Sequence, residues 1–294
     1  MDLGTFIKSA RKAKGFRQKD LAEGICTQAT ISNLEKNTGL PSIKTLVALS
    51  DRLSIDFNML VEYLPNKNTK IELFQVAKEL LRKQDYVELK KVLKTTINPN
   101  DLTTSEIKEY RYLKGMIALY GEKKFNEALY QFNVGLQEGN NKKTWMIETL
   151  TINGIGMTYF LNNEVEKSTI YIKKAVDQLD EMASGSLQLG DLNEGALIYS
   201  TTASYYSYMK DYKKANSLYM KAINLQKRVI ELFGLDKIYY ERGVNLAKMG
   251  DLKQAEKLFF IGLGIAEINE NKVLIDELLE AAKHFGFKSI QYEK

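Results

Sequence analysis

The sequence predicts an all-α protein, with an N-terminal helix-turn-helix domain of five helices, a superhelix of about five helix pairs and a C-terminal cap helix. Residues 17–42 hold two short helical patterns on either side of a turn. Beyond residue 70, apolar residues recur at the period of long amphipathic helices. Small and bulky residues return at matching positions in those helices, which is typical of stacked helix pairs.

The first helix and the segment after it are basic. Phe6, Ala10 and Ala13 form an apolar stripe, and Gly15 ends the helix. Between residues 8 and 19 there are six basic residues and no acidic one. They are Lys8, Arg11, Lys12, Lys14, Arg17 and Lys19. Beside a helix-turn-helix, this run favours contact with DNA phosphates over a solvent-exposed charged face.

The third helix has one buried face and one polar face. Leu21 and Ala22 begin the buried side of the second helix, and Thr27 caps the third. Ile31 and Leu34 lie three residues apart and turn inward. The residues left on the outward face are Gln28, Ala29, Ser32 and Asn33. Short polar side chains near the N-terminus of an exposed helix are suited to reading base edges in a major groove.

Two further residues complete the predicted DNA-binding set. Arg11 has two alternative roles, an ion pair with Glu35 that locks the first helix onto the third, or a phosphate contact. Gln18 begins the second helix, where its amide can hold a phosphate. The predicted DNA-binding residues are Gln18, Thr27, Gln28, Ala29, Ser32, Asn33, Arg11, Lys12 and Arg17.

The segment resembles the XRE family of helix-turn-helix domains, which have a repressor-like, five-helix fold. The matching residues are Arg11, Gln18, Leu21, Ala22, Thr27, Gln28, Ile31, Ser32, Glu35 and the Pro41-Ser42 pair. We expect Pro41-Ser42 to begin a fourth helix and Asp56 to cap a fifth. In the turn, Ile25 and Cys26 stand where the family usually has a glycine. We expect this domain over residues 1–62, a linker over 63–70 and a repeat domain over 71–294.

The repeat domain is predicted from residues that recur at intervals of about 40. Gly156, Ala203 and Gly243 occupy one equivalent position, where helices must approach closely. The residues at the following equivalent positions are small Ser168, Ala215 and Ala255, bulky Ile172, Tyr219 and Phe259, and small Ala175, Ala222 and Gly262. This spacing resembles the tetratricopeptide repeat, and the last helix, around residues 274–285, fits a cap.

A repeat array of this kind offers a concave groove for an extended peptide or a partner helix. The repeat phase and residue chemistry predict these peptide-binding residues: Asn153, Tyr112, Met116, Met157, Ser204, Tyr208, Tyr240, Lys78 and Arg82. Asn153 is the strongest candidate, because an amide has no propensity reason to lie inside a helix. The alternatives are that the tyrosines pack between helices and that Lys78 and Arg82 face solvent.

The composition argues against several classes of protein. One cysteine and one histidine leave no disulfide framework and no Cys/His metal cluster. No glycine-rich phosphate loop follows a strand, so we expect no enzyme, no cofactor and no metal. The N-terminus has no signal-peptide core, and the longest apolar run, residues 258–266, is too short to span a bilayer. We expect a cytoplasmic protein without a membrane partner.

The helix-turn-helix domain of residues 1–62, which we call the head, resembles the RRNPP group of quorum-sensing regulators when it is taken together with the linker and the repeats. Within that group, the chain resembles the PlcR-type transcription factors. Members of this group are cytoplasmic receptors for re-imported signalling peptides. The resemblance implies a homodimer, a two-fold-symmetric operator in double-stranded DNA, and a small signalling peptide in the repeat groove. Two alternatives remain: a repressor whose repeats only dimerise or recruit a protein, and a regulator whose repeats sequester a protein partner.

Overall fold

The computed structural model describes residues 2–55, 60, 69–139, 144–184, 187–229, 232, 234–287 and 290. Within these ranges the protein has fifteen α-helices and no β-strand, which confirms the predicted all-α class. The chain divides into two compact units, Met1–Gln131 and Phe132–Lys294. Most of the predicted linker lies outside the described residues, and its last two residues already belong to a helix.

The first unit contains the head and the first helices of the repeats. Its helices are α1 (Leu3–Ala13), α2 (Gln18–Ala22), α3 (Gln28–Glu35), α4 (Ile43–Leu53), α5 (Thr69–Arg82), α6 (Tyr86–Thr96) and α7 (Thr104–Met116). A π-helical turn, Ile117–Gly121, extends α7, and the next helix, α8 (Phe125–Gln137), contains the point where the units divide. Ser42 caps α4 by accepting a hydrogen bond from the Thr45 amide, so the predicted start of the fourth helix is confirmed.

The core of the head is made by the inward faces of α1 to α4. Its fully buried side chains include Ile7, Leu21, Ile31, Leu34, Leu46 and Leu49. The predicted stripe of α1 is corrected in part: Phe6 and Ala10 pack against this core, but Ala13 is exposed, and Ile7 is the completely buried side chain of the helix.

The turn after α2 differs from the prediction. Gly24 lies in it with a left-handed φ of 71°, and Ile25 and Cys26 pack on the core behind it. The turn therefore does contain a glycine. Asp56, the predicted cap of a fifth helix, lies outside the described residues, whereas Leu60 is described and buried in the same core.

The second unit consists of helix hairpins. Its helices are α9 (Trp145–Leu161), α10 (Val165–Ser184), α11 (Leu192–Tyr208), α12 (Tyr212–Val229), α13 (Leu235–Lys248), α14 (Leu252–Ile268) and α15 (Lys272–Phe285). Each hairpin turns through a residue with positive φ: Asn163 at 63°, Lys210 at 61° and Gly250 at 90°.

Small residues allow the two helices of each hairpin to approach closely, as the sequence predicts. A Cβ at Gly156 would come within 2.7 Å of Ile172 Cγ1, and a Cβ at Gly243 would come within 2.7 Å of Phe259 Cδ2. The matched positions on the second helices, Ser168, Ala215 and Ala255, are completely buried. The repeat register is confirmed.

The last helix covers the end of the array. Leu274, Leu278 and Ala282 of α15 are buried in one cluster with Phe259 and Leu263 of α14. This confirms the predicted cap helix. Among the described helices, none combines the length and the apolar character needed to cross a membrane.

Candidate functional site

The outward face of α3 carries the predicted base-reading residues. The Thr27 hydroxyl caps the helix by accepting from the Thr30 amide at 3.2 Å. Ile31 and Leu34 are buried beneath. On the other side Gln28, Ala29 and Asn33 are exposed and Ser32 is half-buried. The sequence pattern therefore separated the two faces of this helix correctly.

A chain of side-chain hydrogen bonds fixes α3 against α1 and α2. Arg11 donates from Nε and a terminal nitrogen to the two oxygens of Glu35, at 2.5 and 3.0 Å. Gln18 donates to Glu35 at 2.9 Å, and Gln28 donates to the Gln18 carbonyl at 2.8 Å. The orientation of the exposed Gln28 amide is therefore set by a buried ion pair.

The ion pair decides between the two roles of Arg11. Its guanidinium also donates to the Phe16 carbonyl at 2.6 Å, and the whole residue is buried. Burial tends to raise the pKa of Glu35, but the hydrogen bonds from Arg11 and Gln18 outweigh it and lower the pKa of this carboxyl. The prediction of a phosphate contact by Arg11 is therefore corrected, because its side chain locks α1 onto α3.

The other basic residues of the head differ in their surroundings. Lys12 is exposed. Arg17 is exposed too, but its guanidinium nitrogens lie 3.0 Å from the two oxygens of Asp20. The ammonium of Lys14 donates to the Ser54 hydroxyl at 2.7 Å. A phosphate contact would compete with the Asp20 contact of Arg17 and with the Ser54 contact of Lys14. Lys12 is therefore the best placed of these three residues to contact a phosphate.

In the first unit, the predicted peptide-binding residues lie in different environments. Tyr112 of α7 is buried and Met116 is half-buried. Lys78 and Arg82 of α5 are exposed, and the Lys78 ammonium lies 3.1 Å from the carboxylate of Glu109. Lys78 therefore has an ion-pair partner on α7, which the solvent-facing alternative did not include.

In the second unit, Asn153 joins two successive hairpins. Its amide nitrogen donates to Thr202 Oγ1 at 3.3 Å, and its carbonyl accepts from Thr201 Oγ1 at 2.9 Å. The residue is only 5% exposed. Met157, one turn further along α9, is also buried. The Asn153 amide therefore has a packing role inside the helix, because it joins α9 to α11.

Ser204 belongs to a polar cluster between the next two hairpins. Its hydroxyl donates to Glu241 at 2.5 Å, and the same carboxylate accepts from the Tyr219 hydroxyl. Burial and the neighbouring Glu241 raise the pKa of Tyr219 far above its ordinary value. Asn245, which is almost completely buried, donates to Ser207 at 2.7 Å. Sequence reasoning missed Glu241 and Asn245, although polar residues at inward helix positions were the available signal.

Several large side chains remain open on the first helices of these hairpins. Tyr208 is 69% exposed, and its ring meets the edge of Phe160 with centroids 4.9 Å apart. Tyr240 is half-buried against Phe259. Leu161 and Leu197 are exposed as well. Among the described residues, no three acidic, histidine or cysteine side chains form a group that could hold a metal ion.

Comparison with known families agrees with the geometry of the head. Residues 7–60 match the helix-turn-helix family HTH_3. This segment is a helix-turn-helix domain. No protein of curated function matches the chain in sequence.

The fold is similar to the folds of three solved proteins. Bacillus thuringiensis PlcR, in complex with the peptide PapR7 and DNA, is 20% identical with a TM-score of 0.61, covering 94% of this chain and 98% of its own. The apo competence regulator ComR from Streptococcus vestibularis is 14% identical with a TM-score of 0.54, covering 97% and 98%. ComR from S. thermophilus, bound to DNA and its signalling peptide ComS, is 12% identical with a TM-score of 0.55, covering 97% and 100%. At the level of the fold, the resemblance indicated by the sequence is confirmed.

Proposed function

We propose that the protein is a sequence-specific DNA-binding transcriptional regulator whose DNA affinity is controlled by a small signalling peptide bound to its helix pairs. One observation carries the proposal: an exposed recognition helix belongs to a chain whose fold, over 94% of its length, is shared with PlcR in a complex with both a peptide and DNA. We place this regulator in the cytoplasm and assign it no catalytic activity.

The head supplies the chemistry for DNA recognition. We assign base contacts to the outward face of α3 and to its N-cap, with the residues Thr27, Gln28, Ala29, Ser32 and Asn33. An amide side chain offers a donor and an acceptor together, the pattern that adenine presents in the major groove. We assign phosphate contacts to Lys12, Arg17 and Gln18, which lie on or beside α1 and α2.

The helix pairs supply the proposed peptide site. Tyr208 offers an exposed aromatic surface, whereas Asn153 already bonds Thr201 and Thr202. A peptide that uses the Asn153 amide must therefore replace these inter-hairpin hydrogen bonds. Such an exchange couples peptide occupancy to the packing of α9 against α11. A ligand acts on DNA binding only through this kind of differential contact.

We further propose that the active form is a homodimer on a two-fold-symmetric operator. A helix-turn-helix head presents a single recognition helix, and symmetric operators are read by paired heads. The coupling between peptide and DNA binding needs to be only about 1–3 kcal/mol to change operator affinity by about 5–150-fold.

The DNA-binding half of the proposal is tested with an operator selected from a random duplex library. We expect Gln28→Ala to weaken operator binding by about 1–3 kcal/mol and to leave random DNA nearly unaffected. The control variant Lys12→Ala should weaken both duplexes similarly, since phosphates carry no sequence information. Equal losses on both duplexes for Gln28→Ala would remove this residue from the base-reading set.

One alternative function is favoured by a specific observation. Asn153, Tyr112 and Met157 are all buried in the described arrangement, which also suits repeats that serve only dimerisation or the sequestration of a protein partner. Direct calorimetry separates the two functions. A short synthetic peptide encoded beside the gene should bind the full-length protein if it is a peptide receptor, and no such peptide should bind under the alternative.

A further inference from the structure

The solvent face of α14 carries an apolar stripe. Phe260 is 64% exposed and Ile268 is 68% exposed, and their spacing places them on one face of the helix. Gly264 lies between them, and no atom would lie within 4 Å of a Cβ built there. Ile261 and Ile265 flank the row and are half-buried. We call Phe260, Ile261, Gly264, Ile265 and Ile268 the α14 stripe.

The neighbouring hairpins show that the fold does not require this stripe. We align α12 with α14 at the equivalent small residues Ala215 and Ala255. The residues of α12 that then correspond to Phe260, Gly264 and Ile268 are Met220, Asn224 and Arg228. In α10 they are Lys173, Asp177 and Glu181. These helices pack in the same hairpin arrangement with mostly polar or charged residues outward. The packing of the hairpin therefore does not require apolar residues at these positions of α14, and exposed apolar patches of this kind mark candidate contact surfaces.

Charged residues on the same helix make the stripe complementary to itself. Lys257 and Glu267 stand five residues before and after Gly262, and both are exposed. Phe260 and Gly264 stand two residues before and after the same point. Neither Lys257 nor Glu267 has a side-chain hydrogen bond or ion pair within the described part of the chain. Two copies of α14 crossing antiparallel about Gly262 would bring each Lys257 near the second copy's Glu267.

We propose that the α14 stripe is an interface between two copies of this chain. The two copies are related by a two-fold axis, with Phe260 of one packing over the open backbone at Gly264 of the other. An apolar centre bounded by charged residues matches the usual anatomy of a protein interface. A symmetric contact uses each charge pair twice. This inference rests on the homodimer proposed above and adds the surface that forms it.

The test is sedimentation equilibrium of the full-length protein without peptide or DNA. Lys257→Glu and Glu267→Lys each place like charges together twice per dimer, so each should raise the dimer Kd about tenfold. The double variant restores both opposite-charge pairs and should recover the original Kd. An equimolar mixture of the two single variants should form the mixed dimer in preference to either homodimer.

A matched pair of apolar variants tests the centre of the surface. Phe260→Glu should abolish the dimer, whereas Met220→Glu, at the corresponding position of α12, should leave its Kd unchanged. A dimer whose Kd is the same in all these variants would overturn the proposed interface while leaving the proposed dimer intact. A wild-type protein that stays monomeric up to about 100 μM, far above the range of stable specific pairs, would contradict the proposed dimer as well.

Discussion

Replacement of Asn153 by alanine tests the link between peptide binding and repeat packing. The variant removes the donor to Thr202, whose side chain is completely buried, and the acceptor of Thr201. The Thr201 hydroxyl has a second acceptor, the Leu197 carbonyl at 2.9 Å, so removing the Asn153 acceptor costs little free energy at Thr201. The hydrogen bond to Thr202 is long, at 3.3 Å, and therefore weak. We expect a loss of about 1–2 kcal/mol in the free energy of unfolding.

Asn245→Ala is the matched control. Asn245 is also a buried amide that joins two hairpins, through its hydrogen bond to Ser207 at 2.7 Å, but it is not in the predicted peptide-binding set. Urea unfolding followed by circular dichroism should give similar losses for both variants. Anisotropy of a labelled operator should show that Asn153→Ala no longer responds to peptide, whereas Asn245→Ala still does.

Two results would refute this reasoning. A normal response of Asn153→Ala to saturating peptide would remove Asn153 from the peptide site. A change below about 0.5 kcal/mol in unfolding free energy would refute the packing role assigned to its hydrogen bonds.

Three further predictions follow from the head and the repeats. Glu35→Ala leaves the buried Arg11 guanidinium without its carboxylate and should destabilise the head by about 3–5 kcal/mol in urea unfolding; a loss below about 1 kcal/mol would contradict a buried pair. Folding lowers the pKa of Glu35, so the carboxylate stabilises the folded state above its unfolded pKa of about 4.3. This contribution is lost as the pH falls through the lower folded value. Acid titration of the Glu35→Gln variant should therefore show a shallower loss of stability than that of the wild type. Gly156→Ala should lower the melting temperature, since the new Cβ would lie 3.0 Å from the Ile172 backbone nitrogen. The cost of overpacking, about 1–3 kcal/mol, exceeds the gain in helix propensity. An unchanged melting temperature would contradict the close approach of the two helices.

The repeat register could be predicted because each helix pair places small and bulky residues at the same positions. Gly156 and Gly243 needed no distant information, since their partners Ile172 and Phe259 lie in the next helix of the same hairpin. The two faces of α3 were predictable for the same local reason, because buried Ile31 fixes which side chains point outward.

Contacts between distant residues could not be predicted in this way. Asn153 finds its partners 48 and 49 residues later, and the sequence gives no distance between those positions. The sequence allows two roles for Arg11, since choosing between them requires knowing that its side chain is buried beside Glu35. The carboxylate of Glu241 was missed because its donors, Ser204 and Tyr219, belong to the preceding hairpin.

The most direct test of the account is a titration of a labelled operator duplex with full-length protein, with and without synthetic peptides encoded by the short reading frames beside the gene. We predict that one peptide changes the operator Kd by about 5–150-fold, and that operator DNA changes the affinity for that peptide by the same factor, as linkage requires. The proposed control by peptide would be contradicted if the operator Kd changed by less than about twofold with saturating amounts of every such peptide. A change of that size is below the smallest coupling expected of a regulator.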